Sequence, residues 1–124
     1  MLLLGLLHLV YTLRGPKLHP RDAELTARMM AVSPVISPQT TMWQAWVGFN
    51  LSHSLCLIFF GTLYGYLASR HSTFLFHSWF LLLLGFVLLL AYAIFAKLYW
   101  FSVPFVGVVI AAFLYLLGIV LRRA

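Results

Sequence analysis

Residues 42–69 read MWQAWVGFNLSHSLCLIFFGTLYGYLAS. The stretch holds no Lys, Arg, Asp or Glu, and it carries Asn50 and His53 near its middle. Two more apolar runs without a charge follow, at 73–96 and 99–121. A bilayer core of roughly 30 Å needs about 20 apolar residues per helix, and each run meets that length. Only 8% of the 124 residues are charged and 64% are hydrophobic. A soluble domain carries about 25% charged residues, so lipid is the solvent consistent with this chain.

The first run, Met1 to Leu13, is shorter. At about 1.5 Å per residue it reaches only roughly 20 Å. Three explanations compete: a start upstream of Met1, a helix tucked among the others that stops mid-membrane, or a signal h-region. A signal peptide would carry a basic stretch ahead of the run and a small-residue cleavage site behind it, and neither is present. The preferred expectation is a membrane helix whose N-terminal half is missing or misassigned.

The net charge of +6 does not point to nucleic acid. Arg14, Lys17, Arg21, Arg28, Arg70, Lys97, Arg122 and Arg123 sit in loops and at helix ends. There they anchor helix ends by snorkelling and attract anionic headgroups. Cys56 is the only cysteine, which excludes an intrachain disulfide and a multi-thiolate metal site. Its mid-helix position suggests a small buried apolar role.

The expected fold is all-α: an integral membrane four-helix up-down bundle forming one domain over residues 1–124. Its helices are expected at about 1–14, 42–69, 73–97 and 100–121. A polar connection from Arg14 to Thr41 holds Asp22, Glu24 and four of the five prolines. A structureless loop of that length is uncommon. Asp22 can cap a short helix over about 22–31, with Glu24 in its first turn and Leu25, Met29 and Met30 as an apolar face. Such a segment suits the membrane interface; an ordered loop with one helical turn is the alternative. Ser33-Pro34 and Ser37-Pro38 stop any helix. Thr41 and Gln44 then form a capping box, and Trp43 and Trp46 fit an interfacial aromatic belt. Pro104 falls in the first turns of the last helix, where a missing N–H costs least. One side of the bundle would carry Arg14, Lys17, Arg21, Arg28 and Lys97, and the other Arg70, Arg122 and Arg123. The positive-inside rule places the long connection in the cytoplasm.

At about 100° per residue, Trp46, Asn50, His53, Leu57, Gly61 and Tyr64 fall on one face of the second membrane helix, with Ser54 and Gly65 at its edge. Polar groups left unpaired in hydrocarbon cost several kcal/mol, so this stripe should face other helices. Gly61-x-x-x-Gly65 offers a close backbone approach. Depth points to a partner. His8 lies about 9 Å inward from Arg14, Asn50 about 12 Å inward from Met42, and His53 about 16 Å. If the first two helices are neighbours, His8, Asn50 and His53 share a pocket lined by Ser54, Trp46 and Tyr64. Gly5, His8 and Thr12 would form the contacting face of the first helix.

Several chemistries fit such a pocket: tetrapyrrole ligation, hydrogen bonding to a quinone carbonyl, or a proton relay. The bland alternative is interhelical glue through His8, Asn50 and Ser54. An offset of about one turn between His8 and His53 counts against bis-histidine haem. His71 and His77 are six apart, a poor match to a helical metal pair. Asn50-Leu51-Ser52 matches a glycosylation sequon, but within a helix it is not an acceptor. Asp22 and Glu24 are the only carboxylates and lie outside the spans, which argues against a carboxylate relay. No nucleophile motif, metal set or phosphate-cradling loop is evident.

The stretches Gly5-Leu6-Leu7-His8-Leu9-Val10-Tyr11-Thr12 and Thr41-Met42-Trp43-Gln44-Ala45-Trp46-Val47-Gly48-Phe49-Asn50, with Ser52-His53-Ser54, resemble those of small uncharacterised four-helix bacterial membrane proteins. In helix count and size the chain is also similar to the DoxX-like group. The resemblance implies a four-helix fold and a bacterial inner-membrane address. The expected function is a non-catalytic accessory or scaffold subunit, with the lipid bilayer and other membrane subunits as partners and no nucleic acid. The aromatic content of 17% suits such packing surfaces. The alternatives are an intramembrane quinone- or tetrapyrrole-binding protein using His8, Asn50 and His53, and a membrane enzyme acting on lipid; no cofactor is named by the sequence.

Overall fold

A computed structural model describes residues 1–123. These residues form six helices and no strand: α1 (Leu2–Leu13), α2 (Ala23–Ala31), α3 (Met42–Arg70), α4 (Ser72–His77), α5 (Trp79–Tyr99) and α6 (Ser102–Arg123). Three of them, α3, α5 and α6, are long and apolar enough to cross a membrane. The chain therefore reads as an integral membrane protein. A helix satisfies every backbone N–H and C=O within its own segment, as hydrocarbon requires. The 29 residues of α3 extend about 43 Å, more than a bilayer core. The 12-residue α1 is shorter than a span, as its sequence implies.

Local chemistry explains the helix ends. The Asp22 side chain accepts from Glu24 N at 2.9 Å and starts α2. Within α2, Arg28 reaches Glu24 at 2.8 Å, an exposed pair of small energetic weight. Thr41 and Gln44 form the capping box: Thr41 N donates to Gln44 Oε1 at 3.1 Å, and Gln44 N donates to Thr41 Oγ1 at 3.2 Å. The loop between α2 and α3 is closed by Met42 N donating to the Val32 carbonyl at 2.8 Å.

The run expected as one helix over 73–97 is two. Ser78 is extended, at φ −86° and ψ 98°, and separates α4 from α5. Its hydroxyl accepts from Leu81 N at 3.3 Å, an N-cap in mid-run. His77 Nδ1 donates to the Thr73 carbonyl at 2.8 Å and helps close α4. A hydropathy reading passes over this break because Phe74 to Phe80 stay mostly apolar.

The chain divides into two compact units within α3. The first, Leu2–Phe59, holds α1, α2 and the first part of α3. Here α1 meets α3 at Gly5, the one buried residue of α1. A Cβ on Gly5 would lie 2.8 Å from Leu57 Cβ and 2.9 Å from the Ile58 backbone nitrogen. Only hydrogen fits there. The expected close approach at Gly65 is not found, since a Cβ there would meet nothing within 4 Å. Cys56 is exposed rather than buried. The buried line of α3 in this unit is Asn50, Ser54 and Leu57, and Cys56 lies two residues, about 200°, round from Ser54.

The second unit runs from Phe60 and holds the end of α3 with α4, α5 and α6. Leu82, Leu89 and Ala96 of α5 are buried at seven-residue intervals, and α5 packs along α6, where Val108 is buried. Gly85 admits two tyrosines: a Cβ there would lie 2.5 Å from the Tyr115 hydroxyl and 2.8 Å from Tyr64 Cε1. Tyr64 Oη donates to the Leu81 carbonyl at 2.7 Å, and Tyr115 Oη to the Leu82 carbonyl at 2.9 Å.

The Gly5 contact has a measurable consequence. Gly5→Ala forces a methyl against backbone, and the expected loss is about 1–3 kcal/mol, typical of overpacking. Gly48→Ala, at a site with nothing within 4 Å, should lose nothing. Thermal unfolding in one detergent compares the two variants.

Candidate functional site

The candidate site lies in the first unit, where α1 supplies His8 and α3 supplies Trp46, Asn50, His53 and Ser54. His8 Nε2 lies 2.9 Å from Asn50 Oδ1. The Asn50 amide nitrogen donates to the Trp46 carbonyl at 2.8 Å. With its nitrogen so occupied, the amide turns its oxygen to His8, and the Nε2–H of His8 donates. Ser54 Oγ donates to the Asn50 carbonyl at 2.8 Å, and Thr12 Oγ1 to the His8 carbonyl at 2.8 Å. Asn50 is 5% exposed and Ser54 is fully buried. Among the described residues, every buried side-chain nitrogen and oxygen has a hydrogen-bond partner.

The imidazole of His53 meets that of His8 edge to face, with ring centroids 5.1 Å apart and planes at 70°. On its other side Phe49 stacks near-parallel at 6.1 Å. His53 is half-buried, and the deepest polar residue is Ser54. The buried centre of α3 is therefore rotated from His53 towards Ser54, which the helical stripe had placed at its edge. Trp46 is 41% exposed. Its indole N–H donates to the Leu18 carbonyl at 3.0 Å and ties the connection after α1 to α3. His19 meets Trp43 edge to face at 4.7 Å in the same region.

Tyr64 was expected to line the same pocket. It belongs to the second unit, where its hydroxyl is bonded to the Leu81 carbonyl. The remaining histidines are held locally: His71 Nε2 lies 3.3 Å from Tyr66 Oη, and His77 is bonded to Thr73. Among the described residues, no three His, Cys, Asp or Glu side chains gather to hold a metal ion.

The geometry bears on the cofactors that intramembrane histidines invite. Axial imidazoles ligate a haem from opposite faces. The His8 and His53 rings touch edge to face, which leaves no slot for a macrocycle, and His8 Nε2 is already engaged with Asn50. A quinone needs a ring-sized cavity beside a donor. The cavity at Asn50, bounded also by Thr12, Leu18, Trp43, Trp46 and Val47, measures about 10 Å³. That is near the least space that holds one water. The two rings as placed do not form a bis-histidine haem site, and the cavity at Asn50 is smaller than a quinone ring. The residues present fit a self-contained polar clasp between α1 and α3.

Sequence reasoning did not find the pair Tyr64 and Tyr115 against Gly85. The available signals were a lone glycine in the aliphatic run 81–90 and a tyrosine deep within 99–121. Comparison with known protein families, with curated proteins and with solved structures finds no match to this chain.

Asn50→Leu leaves the half-buried His8 donor without its acceptor. The expected destabilisation is about 1–3 kcal/mol, the cost of an unsatisfied buried group. His53→Leu keeps the His8–Asn50 bond and should cost less. Thermal unfolding of the purified variants in a common detergent ranks them.

Proposed function

We propose that this chain is a small accessory or scaffold subunit of a larger complex in the bacterial inner membrane, without catalysis of its own. In this reading α1, α3, α5 and α6 form a four-helix up-down bundle, and α2 lies at the membrane interface. The observation that carries the proposal is the closure of the polar cluster on itself. His8, Asn50, Ser54 and Thr12 all direct their hydrogen bonds to the chain's own groups, so their work is to hold α1 on α3.

Surface chemistry supports the same reading. Little of the apolar length of α6 is buried inside the chain. Val103, Val106, Ile110, Phe113 and Leu117 are exposed along that helix. Such faces pack against lipid or other membrane helices, where van der Waals contact drives association. Leu25 and Met30 of α2 are exposed and suit headgroup-level hydrocarbon. The basic residues at helix ends address anionic lipid rather than nucleic acid.

Gentle detergent extraction at native abundance, followed by affinity purification, tests the proposal. The expected result is one membrane protein recovered in fixed stoichiometry with the chain. Recovery of the chain alone, as a monomer or homo-oligomer, contradicts it. So does a Soret band or stoichiometric quinone in the purified protein, either of which would favour a cofactor-binding role.

A further inference from the structure

The second unit contains a cavity of about 140 Å³ that the polar clasp does not involve. Tyr64, Leu75, Leu82, Leu114, Tyr115 and Gly118 are among its walls. We propose that this cavity is a binding site for one acyl chain of a membrane phospholipid.

Size comes first. The space opens at the surface of the unit, where Leu114 is 58% exposed, and its volume is close to that of an apolar cavity that takes up a benzene-sized hydrocarbon, about 150 Å³. A void here would forfeit the dispersion contacts of its walls. The helices around it include three that are long and apolar enough to lie in a membrane, so acyl chains are the most concentrated ligand available.

Chemistry of the walls selects hydrocarbon over a polar ring. Tyr64 and Tyr115 are the hydroxyl-bearing residues of the lining, and both donate their protons to the carbonyls of Leu81 and Leu82. No side-chain donor of the lining remains for a quinone carbonyl. The two phenol rings instead present carbon, with centroids 5.8 Å apart. Gly118 keeps the space open: a Cβ there would meet no atom within 4 Å.

Charge selects a phospholipid. Arg122 lies four residues beyond Gly118, on the same face of α6 and about 6 Å further along it. Arg70 ends α3 two residues, about 200°, round from the wall residue Ala68, so Arg122 is the arginine on a cavity-lining face. Both arginines are exposed. The only acidic residues of the chain, Asp22 and Glu24, belong to the first unit. The Arg122 guanidinium is thus placed to meet a phosphodiester, with no Asp or Glu side chain in its unit to compete.

The test is native mass spectrometry of the full chain, delipidated and reloaded from phosphatidylglycerol vesicles. Wild type should retain one phospholipid per chain. Gly118→Leu fills the cavity and should lower that occupancy about tenfold, equivalent to about 1.4 kcal/mol. Gly48→Leu, in the first unit at an exposed open position, should retain lipid as wild type does. If Gly118→Leu loses its helical circular dichroism, Gly118→Ala decides by the same readout, with a smaller fall expected. No retained lipid in wild type overturns the proposal, and so does equal retention in the folded Gly118 variant. Retention of an isoprenoid from native membranes in preference to phosphatidylglycerol also overturns it.

Discussion

A hydrogen bond from His8 to Asn50 sets the terms for the first unit. In hydrocarbon an unpaired imidazole or amide costs several kcal/mol, so each group requires the other. That requirement fixes the rotation and register of α1 on α3. Gly5, three residues before His8, meets Leu57 and Ile58 with no room for a side chain. Thr12, one turn beyond His8, returns its hydroxyl to the His8 carbonyl. The three residues form one face of a short helix whose length alone would hold it poorly in a bilayer. Within Asn50, the bond to Trp46 fixes which amide atom faces His8, so the proton on His8 Nε2 follows from a neighbour one turn away.

The second unit solves a related problem with different residues. Tyrosines of α3 and α6 send their hydroxyls to successive carbonyls near the start of α5, and Gly85 makes the room. A phenol in hydrocarbon needs an acceptor, and a helix carbonyl has a second lone pair to offer. The same two rings wall a cavity that their own hydroxyls cannot make polar. In both units glycine sits where a polar side chain must reach across a close helix contact.

Much of this was legible in the residues. Run length and the absence of charge mark α3, α5 and α6, because hydrocarbon thickness dictates both. Asp22 and the Thr41–Gln44 pair mark two helix starts, because caps depend on local hydrogen bonds. Helical rise places His8 level with Asn50. The break at Ser78 was not legible, because a serine cap within an apolar run leaves the hydropathy unchanged. Cys56 and Gly65 were assigned inward roles by general tendencies; the rotation of α3 towards Ser54 turns Cys56 outward, while Gly65 has no neighbour within reach of a Cβ. Tyr64 was grouped with the histidines by angular position alone, yet its hydroxyl is bonded to α5. That bond, like the Tyr115–Gly85 contact, depends on how helices pack, which no single-helix pattern encodes.

His8 and Asn50 act as a pair inside an apolar medium. A double-mutant cycle over His8→Leu and Asn50→Leu, read as unfolding free energy in a fixed detergent, tests this pairing most directly. Either single change should be harmful and the double change should cost less than the sum, with a coupling of about 0.6 kcal/mol and no more than about 1.7, the mean and maximum measured for such bonds in membrane proteins. Strict additivity of the two substitutions would contradict the pairing.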